Sequence, residues 1–151
     1  MPPRVRLGGD QGAATTEFVI AAPAFLFTIM LIVQAGLYFH ASSIASAAAQ
    51  EGARSATVQG GNGADEGASI AEGERVAGEF VQTLAPRLLD DVEIEGRLVD
   101  NGDLVRITVS GDVTEVFKIP GVNVDFTVQE TSEGVIERFR PATDAPPTDS
   151  S

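Results

Sequence analysis

"GAATTEFVIAAPAFLFTIMLIVQAGLYF", residues 12–39, is an almost continuous apolar stretch with a single carboxylate, Glu17, near its start. From Phe18 to Phe39 the chain runs for 22 residues without a formal charge, and about 20 apolar residues in a helix cross a hydrocarbon core about 30 Å thick. Twelve of those residues are Phe, Leu, Ile or Val, which together favour insertion by roughly 4 to 7 kcal/mol. A carboxylate at the edge of the core costs less than the roughly 2.5–3.5 kcal/mol of a central one. The stretch therefore predicts a transmembrane helix.

The charges that flank this stretch predict its orientation. Arg4 and Arg6 precede it, whereas beyond Ala41 the chain carries eight Lys or Arg against twenty Asp or Glu. Basic residues stay preferentially on the cytoplasmic side, so a cytoplasmic N-terminus and an extracytoplasmic remainder are expected. The acidic excess also argues against nucleic acid as a partner, because it repels phosphates. Pro23, inside the apolar run, is tolerable in a membrane helix.

Two simpler interpretations of the apolar stretch stay open at this point. It could be a plain single-pass anchor, or a secretory signal peptide cut at a small-residue site such as Ala45-Ser46-Ala47. The apolar core of a signal peptide is usually about 7–15 residues long, which is shorter than this run. Neither interpretation gives Glu17 a purpose.

The residues around Gly12 carry a resemblance to a known family. A short basic leader ends at Gly12 and is followed by Ala13-Ala14-Thr15-Thr16, Glu17-Phe18 and the apolar run, which resembles the processing site of type IV prepilin-like proteins. More narrowly, residues 12–58 are similar to TadE-like pseudopilins of the tight-adherence (Tad, or Flp) pilus machinery. In that family a G-A-A-x-x-E-F start, a later proline and an A-x-E-G-A-R helix end recur. Here the proline is Pro23 and the helix end is "AAQEGAR", Ala48 to Arg54.

The resemblance implies that a membrane-embedded aspartyl prepilin peptidase cuts between Gly12 and Ala13 and removes residues 1–12. Gly12 has no side chain to obstruct the scissile bond. The cut creates an amine on Ala13 that can neutralise Glu17 in the same chain or a neighbouring one, since an unpaired charge at the lipid boundary is costly. Glu17, with Phe18, would then set the register of assembly. The alternative is that Glu17 simply sits at the cytoplasmic boundary in contact with water.

The helical pattern continues past Phe39, and Ala41, Ala45, Ala49 and Ala53 form a row at four-residue spacing on one face. Small residues at this spacing allow close helix association, so the row is predicted to contact another subunit. The alternative is an alanine-rich helix that docks on its own domain. A single helix over residues 14–57 would be roughly 66 Å long.

Glycine and polar residues at 59–67 predict a loop, and the spacing of Ala77, Phe80, Val81, Leu84 and Leu88 predicts a second helix over about 67–84, ended or bent by Pro86. Beyond this helix, apolar residues recur at every second position, which predicts β-strands. Asn101-Gly102 predicts a tight hairpin turn that also places Arg97 opposite Arg106, with Glu95 near enough to relieve the repulsion. The apolar pairs that this turn predicts are Leu98 with Val105, Gly96 with Ile107, and Ile94 with Val109.

A third strand is predicted over Val122–Val128, with residues 135–139 extending it or adding a short strand. Its parallel pairing is left open by the pattern. The predicted fold class is α+β: a long transmembrane helix that continues as a stalk, and a second helix packed on a three-stranded antiparallel meander. The predicted segments are a cytoplasmic leader (1–12), a transmembrane helix (13–40), a helix extension (41–58), an extracytoplasmic α+β domain (59–140) and a disordered tail (141–151).

The sequence offers no catalytic residues. It has one histidine, His40, at the predicted membrane boundary, and no cysteine, so no pair of nucleophile and base can be singled out. Asp100 and Asp103 lack the spacing of a calcium loop and are interpreted as turn residues, so neither a metal nor a cofactor is expected.

The function that we expect is a non-catalytic minor pilin or pseudopilin of a Tad pilus or secretion assembly. Its expected partners are the prepilin peptidase, other pilin or pseudopilin subunits, Tad assembly proteins and the lipid membrane. The alternative is a single-pass membrane-anchored binding or sensor domain, and a third is a secreted enzyme released by signal peptidase. The position of the mature N-terminus separates the three.

Overall fold

Two helices and three strands make up the part of the chain that the structure, a computed structural model, describes: residues 10–100, 103–115 and 126–136. The strands form one antiparallel sheet in the order β1-β2-β3, and α2 packs on it, which confirms the predicted α+β class. In chain order the elements are α1 (Asp10–Gly61), α2 (Glu66–Leu84), β1 (Leu89–Val99), β2 (Leu104–Val113) and β3 (Thr127–Val135).

The first helix, α1, contains 52 residues and joins the apolar run to the folded domain that contains α2 and the sheet, without a break. At about 1.5 Å per residue it is roughly 78 Å long. Pro23 lies inside it, and because proline has no N–H, the carbonyl of Val19 lacks the usual donor four residues later. The predicted continuation of the apolar helix past Phe39 is confirmed, and α1 ends at Gly61.

The second helix, α2, starts and stops where its local chemistry dictates. Asp65 is the N-cap, and its Oδ1 accepts from the backbone N–H of Ala68 at 2.6 Å. The helix ends at Leu84, directly before Ala85 and Pro86. Both predicted ends are confirmed to within a residue. The predicted loop is shorter than residues 59–67, because α1 continues through Gly60 and Gly61.

The pairing of β1 with β2 follows the register predicted from sequence. Arg97 lies opposite Arg106, as expected, and Arg97 donates to Glu95 at 2.8 Å. Arg106 is neutralised from the other side by Glu133 of β3. The turn residues Asn101 and Gly102 lie outside the described residues. The confirmed apolar pairs are Leu98 with Val105, Gly96 with Ile107, and Ile94 with Val109.

The third strand differs from its prediction. It occupies Thr127–Val135 and pairs antiparallel with β2, whereas the alternation had placed it at Val122–Val128. Val122 and Val124 lie outside the described residues, as do residues 137–139 and the predicted tail at 141–151. The prediction was misplaced because β3 is an edge strand whose inner face carries Glu130, Ser132 and Gly134 rather than an apolar row.

The core lies between one face of the sheet and the two helices, which cross almost backbone to backbone. A β-carbon on Gly52 of α1 would lie 2.7 Å from the carbonyl oxygen of Gly73 in α2. A β-carbon on Gly73 would lie 2.9 Å from Cβ of Ala56. Real β-carbons do not approach other atoms so closely, so this crossing requires glycine on both helices. The side chain of Ile107 fills the space beneath the crossing.

An arginine on the solvent-facing side of α2 forms ion pairs with two carboxylates of the same helix. Arg75 donates to Glu72 and to Glu79, each at 2.6 Å, and its hydrogen bonds hold the pKa of Glu72 below the usual 4.5. A lowered pKa contributes stability that is present at neutral pH and is lost as the pH falls through the folded-state value.

We therefore expect Glu72→Gln to remove a small part of the fall in stability below pH 4.5. The effect is small because the pair is exposed to solvent. Thermal unfolding followed from pH 7 to pH 3 tests this. Glu93→Gln, an exposed carboxylate on β1, is the control, and an acid response shared equally by both variants would contradict the expectation.

Candidate membrane and assembly segment

The first half of α1 exposes large apolar side chains on all of its sides. Side chains of this size each favour burial by about 1.5–3 kcal/mol, so their exposure calls for an apolar environment. Such a helix is long and apolar enough to cross a membrane. The exposed apolar residues are Phe18, Val19, Ile20, Phe25, Leu26, Phe27, Ile29, Leu31, Ile32, Val33 and Phe39.

The folded domain begins where the apolar run ends, with no linker between them. Phe39 is 70% exposed, whereas Ala41, two residues later, is completely buried. Leu37 and Tyr38 already pack partly against the core of the domain. The exposed apolar surface and the folded domain therefore meet within a single turn of one continuous helix.

The predicted cleavage site lies in the first turn of this helix. The backbones of Gly12 and Ala13 are helical, whereas the predicted cleavage needs an extended scissile bond. The first N–H groups of a helix have no partner inside the helix, so this turn opens easily. Opening the first turn of α1 would therefore expose the bond between Gly12 and Ala13.

Helical geometry also places Glu17 within reach of the predicted new amine. Residues four apart lie on the same face, one turn above each other, and side chains lean toward the N-terminus of their helix. Glu17 therefore leans back along the face that carries Ala13. Both Glu17 and Phe18 are exposed, with Phe18 at 71%.

The alanine row predicted as a subunit interface is covered by the chain itself. Ala41, Ala45, Ala49 and Ala53 are each at most 2% exposed, and the backbone of Ala53 lies against Gly134 of β3. The alternative of a helix docked on its own domain is thus the arrangement in this chain. A subunit contact through the row would require the domain to separate from α1.

A polar contact near the boundary joins α1 to the edge of the sheet. Ser42 donates its hydroxyl to Oε1 of Glu130 at 2.5 Å. Glu130 lies on the inner face of β3, opposite Val109. This contact was not predictable from the sequence, because the apolar alternation ends at Val128 and does not assign Glu130 to a strand.

His40 and the predicted turn residues Asp100 and Asp103 form no candidate metal site in the part of the chain that the structure describes. His40 is exposed, and the backbone N–H of Asp103 donates to the carbonyl of Asp100 at 3.2 Å, as in a turn. Asp100 has a positive φ of 55°, which suits a turn position. Within the ranges described, no group of three His, Cys, Asp or Glu residues could hold a metal ion.

Comparison with known proteins bears on the same helix. The family model described as TadE-like protein matches residues 12–54. This segment is similar to TadE-like proteins. The match confirms the resemblance, and it runs from the glycine of the predicted cleavage site to the end of the "EGAR" motif. No curated protein and no solved structure matches the chain significantly.

The TadE-like segment, residues 12–54, ends within the helix crossing, between Gly52 and Ala56. It contains Gly52 but not its partner Gly73, and it contains the whole alanine row. Two of its features therefore have a role within this fold. Glycine at position 52 permits the approach of α2, and the alanines let α1 lie flat on the sheet.

Proposed function

We propose that this protein is a non-catalytic minor pilin or pseudopilin of a Tad (Flp) pilus or secretion assembly. The observation that carries the proposal is the coincidence of the TadE-like segment with an exposed apolar helix that passes directly into a folded domain. A subunit of this kind works by position: the helix holds it in the membrane or against other subunits, and the domain stands outside.

The proposed topology has a short cytoplasmic N-terminus, one membrane-spanning helix and an extracytoplasmic domain. The positive charges before the helix and the acidic domain after it support this orientation. The proposed partners are lipid, the prepilin peptidase, and other pilin subunits and Tad assembly proteins.

The proposed processing step is cleavage between Gly12 and Ala13 by a prepilin peptidase. Hydrolysis of that peptide bond leaves a carboxylate on Gly12 and an amine on Ala13. The amine is protonated at neutral pH, and it lies one turn before Glu17. The pair then neutralises a carboxylate that would otherwise stand alone at the lipid boundary.

The mature N-terminus, determined by mass spectrometry in a host that carries the peptidase, tests this proposal. We expect it at Ala13, and at Met1 when the peptidase gene is deleted. Gly12→Val should leave the precursor uncut, because a branched side chain at the scissile bond hinders an extended substrate. Gly9→Val, three residues earlier in the leader, should still be cut.

Two other outcomes would overturn the proposal. A functional protein that starts at Met1 would fit a membrane-anchored binding domain instead. A start near Ala48 would indicate release by signal peptidase.

A further inference from the structure

We propose that the turn between α2 and β1, residues 84–88, rests in the headgroup layer on the outer surface of the membrane and gives the domain a second lipid contact. This inference rests on the proposed membrane-spanning role of α1. The turn has the sequence Leu-Ala-Pro-Arg-Leu, and it is called the α2–β1 turn below.

The direction of the two helices brings the α2–β1 turn back toward the membrane. At their crossing, Ala56 of α1 faces Gly73 of α2, and Gly52 faces Ala77. Residue numbers rise on one helix as they fall on the other, so the helices are antiparallel. The C-terminal end of α2 therefore lies on the side of the crossing where the apolar run of α1 ends.

Counting residues from the crossing gives the level of the α2–β1 turn. Phe39, the last residue of the apolar run, precedes Gly52 by 13 residues, or about 20 Å at about 1.5 Å per residue. Gly52 faces Ala77, and Leu84 follows Ala77 by seven residues, or about 10 Å on the same basis. The end of α2 thus comes within about 10 Å of the level of Phe39, and the turn that follows it lies close to a headgroup layer that is about 5–8 Å thick.

The side chains of the α2–β1 turn suit that layer. Leu84 is 53% exposed, although it continues the apolar face of α2, and Pro86 and Arg87 are exposed beside it. An arginine with an apolar neighbour can bury its stem at the interface and place its guanidinium among lipid phosphates.

Arg87 also differs from the other described arginines in its charge partners. Arg54, Arg75, Arg97 and Arg106 each form an ion pair with a glutamate. Arg87 forms no ion pair with a carboxylate in the described ranges, although Asp90 and Asp91 follow it closely. The guanidinium of Arg87 is therefore available to a phosphate.

The backbone of the α2–β1 turn is fixed before any lipid binds. The hydroxyl of Thr114 donates to the carbonyl of Arg87 at 2.8 Å, and its N–H donates to the carbonyl of Leu88 at 3.0 Å. The N–H of Leu88 donates to the carbonyl of Ala85 at 3.2 Å. Since the end of β2 holds the turn in place, lipid contact does not have to order the chain first.

The absence of cysteine from the sequence makes a direct test possible. Three single variants of the full chain, Pro86→Cys, Asn62→Cys and Ile29→Cys, would be labelled with a fluorophore. Each would be reconstituted at low density in vesicles of phosphatidylethanolamine and phosphatidylglycerol that carry a nitroxide either on the headgroup or deep on the acyl chain. Asn62 lies at the far end of α1, about 35 Å from Phe39 along the helix.

We expect the headgroup nitroxide to quench the label at position 86 several times more than the label at position 62. The label at position 29 should be quenched by the acyl-chain nitroxide. Equal quenching at positions 86 and 62, with position 29 quenched, would overturn the lipid contact and leave the membrane-spanning role intact. Absence of quenching at position 29 would overturn the membrane-spanning role itself.

A second set of variants tests the side chains named above. In the chain labelled at position 86, Leu84→Ser combined with Arg87→Glu should reduce headgroup quenching several-fold, while circular dichroism stays unchanged. Arg54→Glu, remote from the turn, should not reduce it. Shielding of the label that appears only at high protein density would mean that a neighbouring copy covers the turn, and the lipid assignment would be wrong.

Discussion

Gly52→Ala is expected to lower the free energy of unfolding by about 1–3 kcal/mol, the usual cost of forcing atoms into a packed interior. The added β-carbon would lie 2.7 Å from the carbonyl oxygen of Gly73 and 3.0 Å from Cβ of Ala77. A carbonyl in the middle of α2 cannot turn away as a flexible side chain can. The two helices must therefore separate along their length, and Ile107 beneath them loses its packing.

Thermal unfolding of the full chain in detergent or nanodiscs, followed by circular dichroism, measures this change. Gly67→Ala is the matched control: it is also a glycine in a helix, and its added β-carbon would meet nothing closer than Asp65 Oδ1 at 3.8 Å. It should be neutral or stabilise the protein by about 0.4–1 kcal/mol. If the two variants unfold alike, the close crossing is not a feature of the folded protein.

Glu17→Gln is expected to weaken incorporation of the protein into its assembly by about tenfold or more. A hydrogen bond to a charged group contributes about 1.5–3 kcal/mol, and the amide cannot neutralise the amine of Ala13. Cleavage after Gly12 should continue, because Gly12 itself is unchanged. Co-purification with pilus components from the native host, at equal expression levels, measures incorporation.

Glu93→Gln makes the same chemical change on β1, far along the chain from the apolar run, and should leave incorporation unchanged. If both variants are incorporated normally, Glu17 does not act through its charge. In that case the alternative of a carboxylate that merely sits at the cytoplasmic boundary is correct.

The parts of the fold that were predictable are those where local chemistry and periodicity agree. The β1–β2 register was predictable because a one-residue slip would have moved Ile94, Gly96 and Leu98 to the other face of the sheet. The end of α2 was marked by Pro86, and its start by the end of the glycine-rich polar segment. The apolar run was long enough to stand out on composition alone.

The strand β3 was not predictable from periodicity, because its inner residues, Glu130, Ser132 and Gly134, are polar or small. Their burial is imposed by α1 lying over them. Nor could the alanine row reveal its partner, since small residues permit close approach to any helix or sheet. The Gly52–Gly73 crossing joins residues 21 positions apart. Each glycine by itself indicates only a lower helix propensity, so the sequence does not show that the two meet.

Because α1 continues unbroken from Phe39 to Ala41, no flexible linker separates the segment proposed for the membrane from the domain. A helix advances about 100° per residue, since it has about 3.6 residues per turn. The number of residues between the apolar run and the domain therefore fixes the direction in which the acidic domain projects from the helix axis. A relative with one more residue between the positions of Phe39 and Ala41 would present a different side of its domain to its neighbours, while the contacts inside the domain stayed the same.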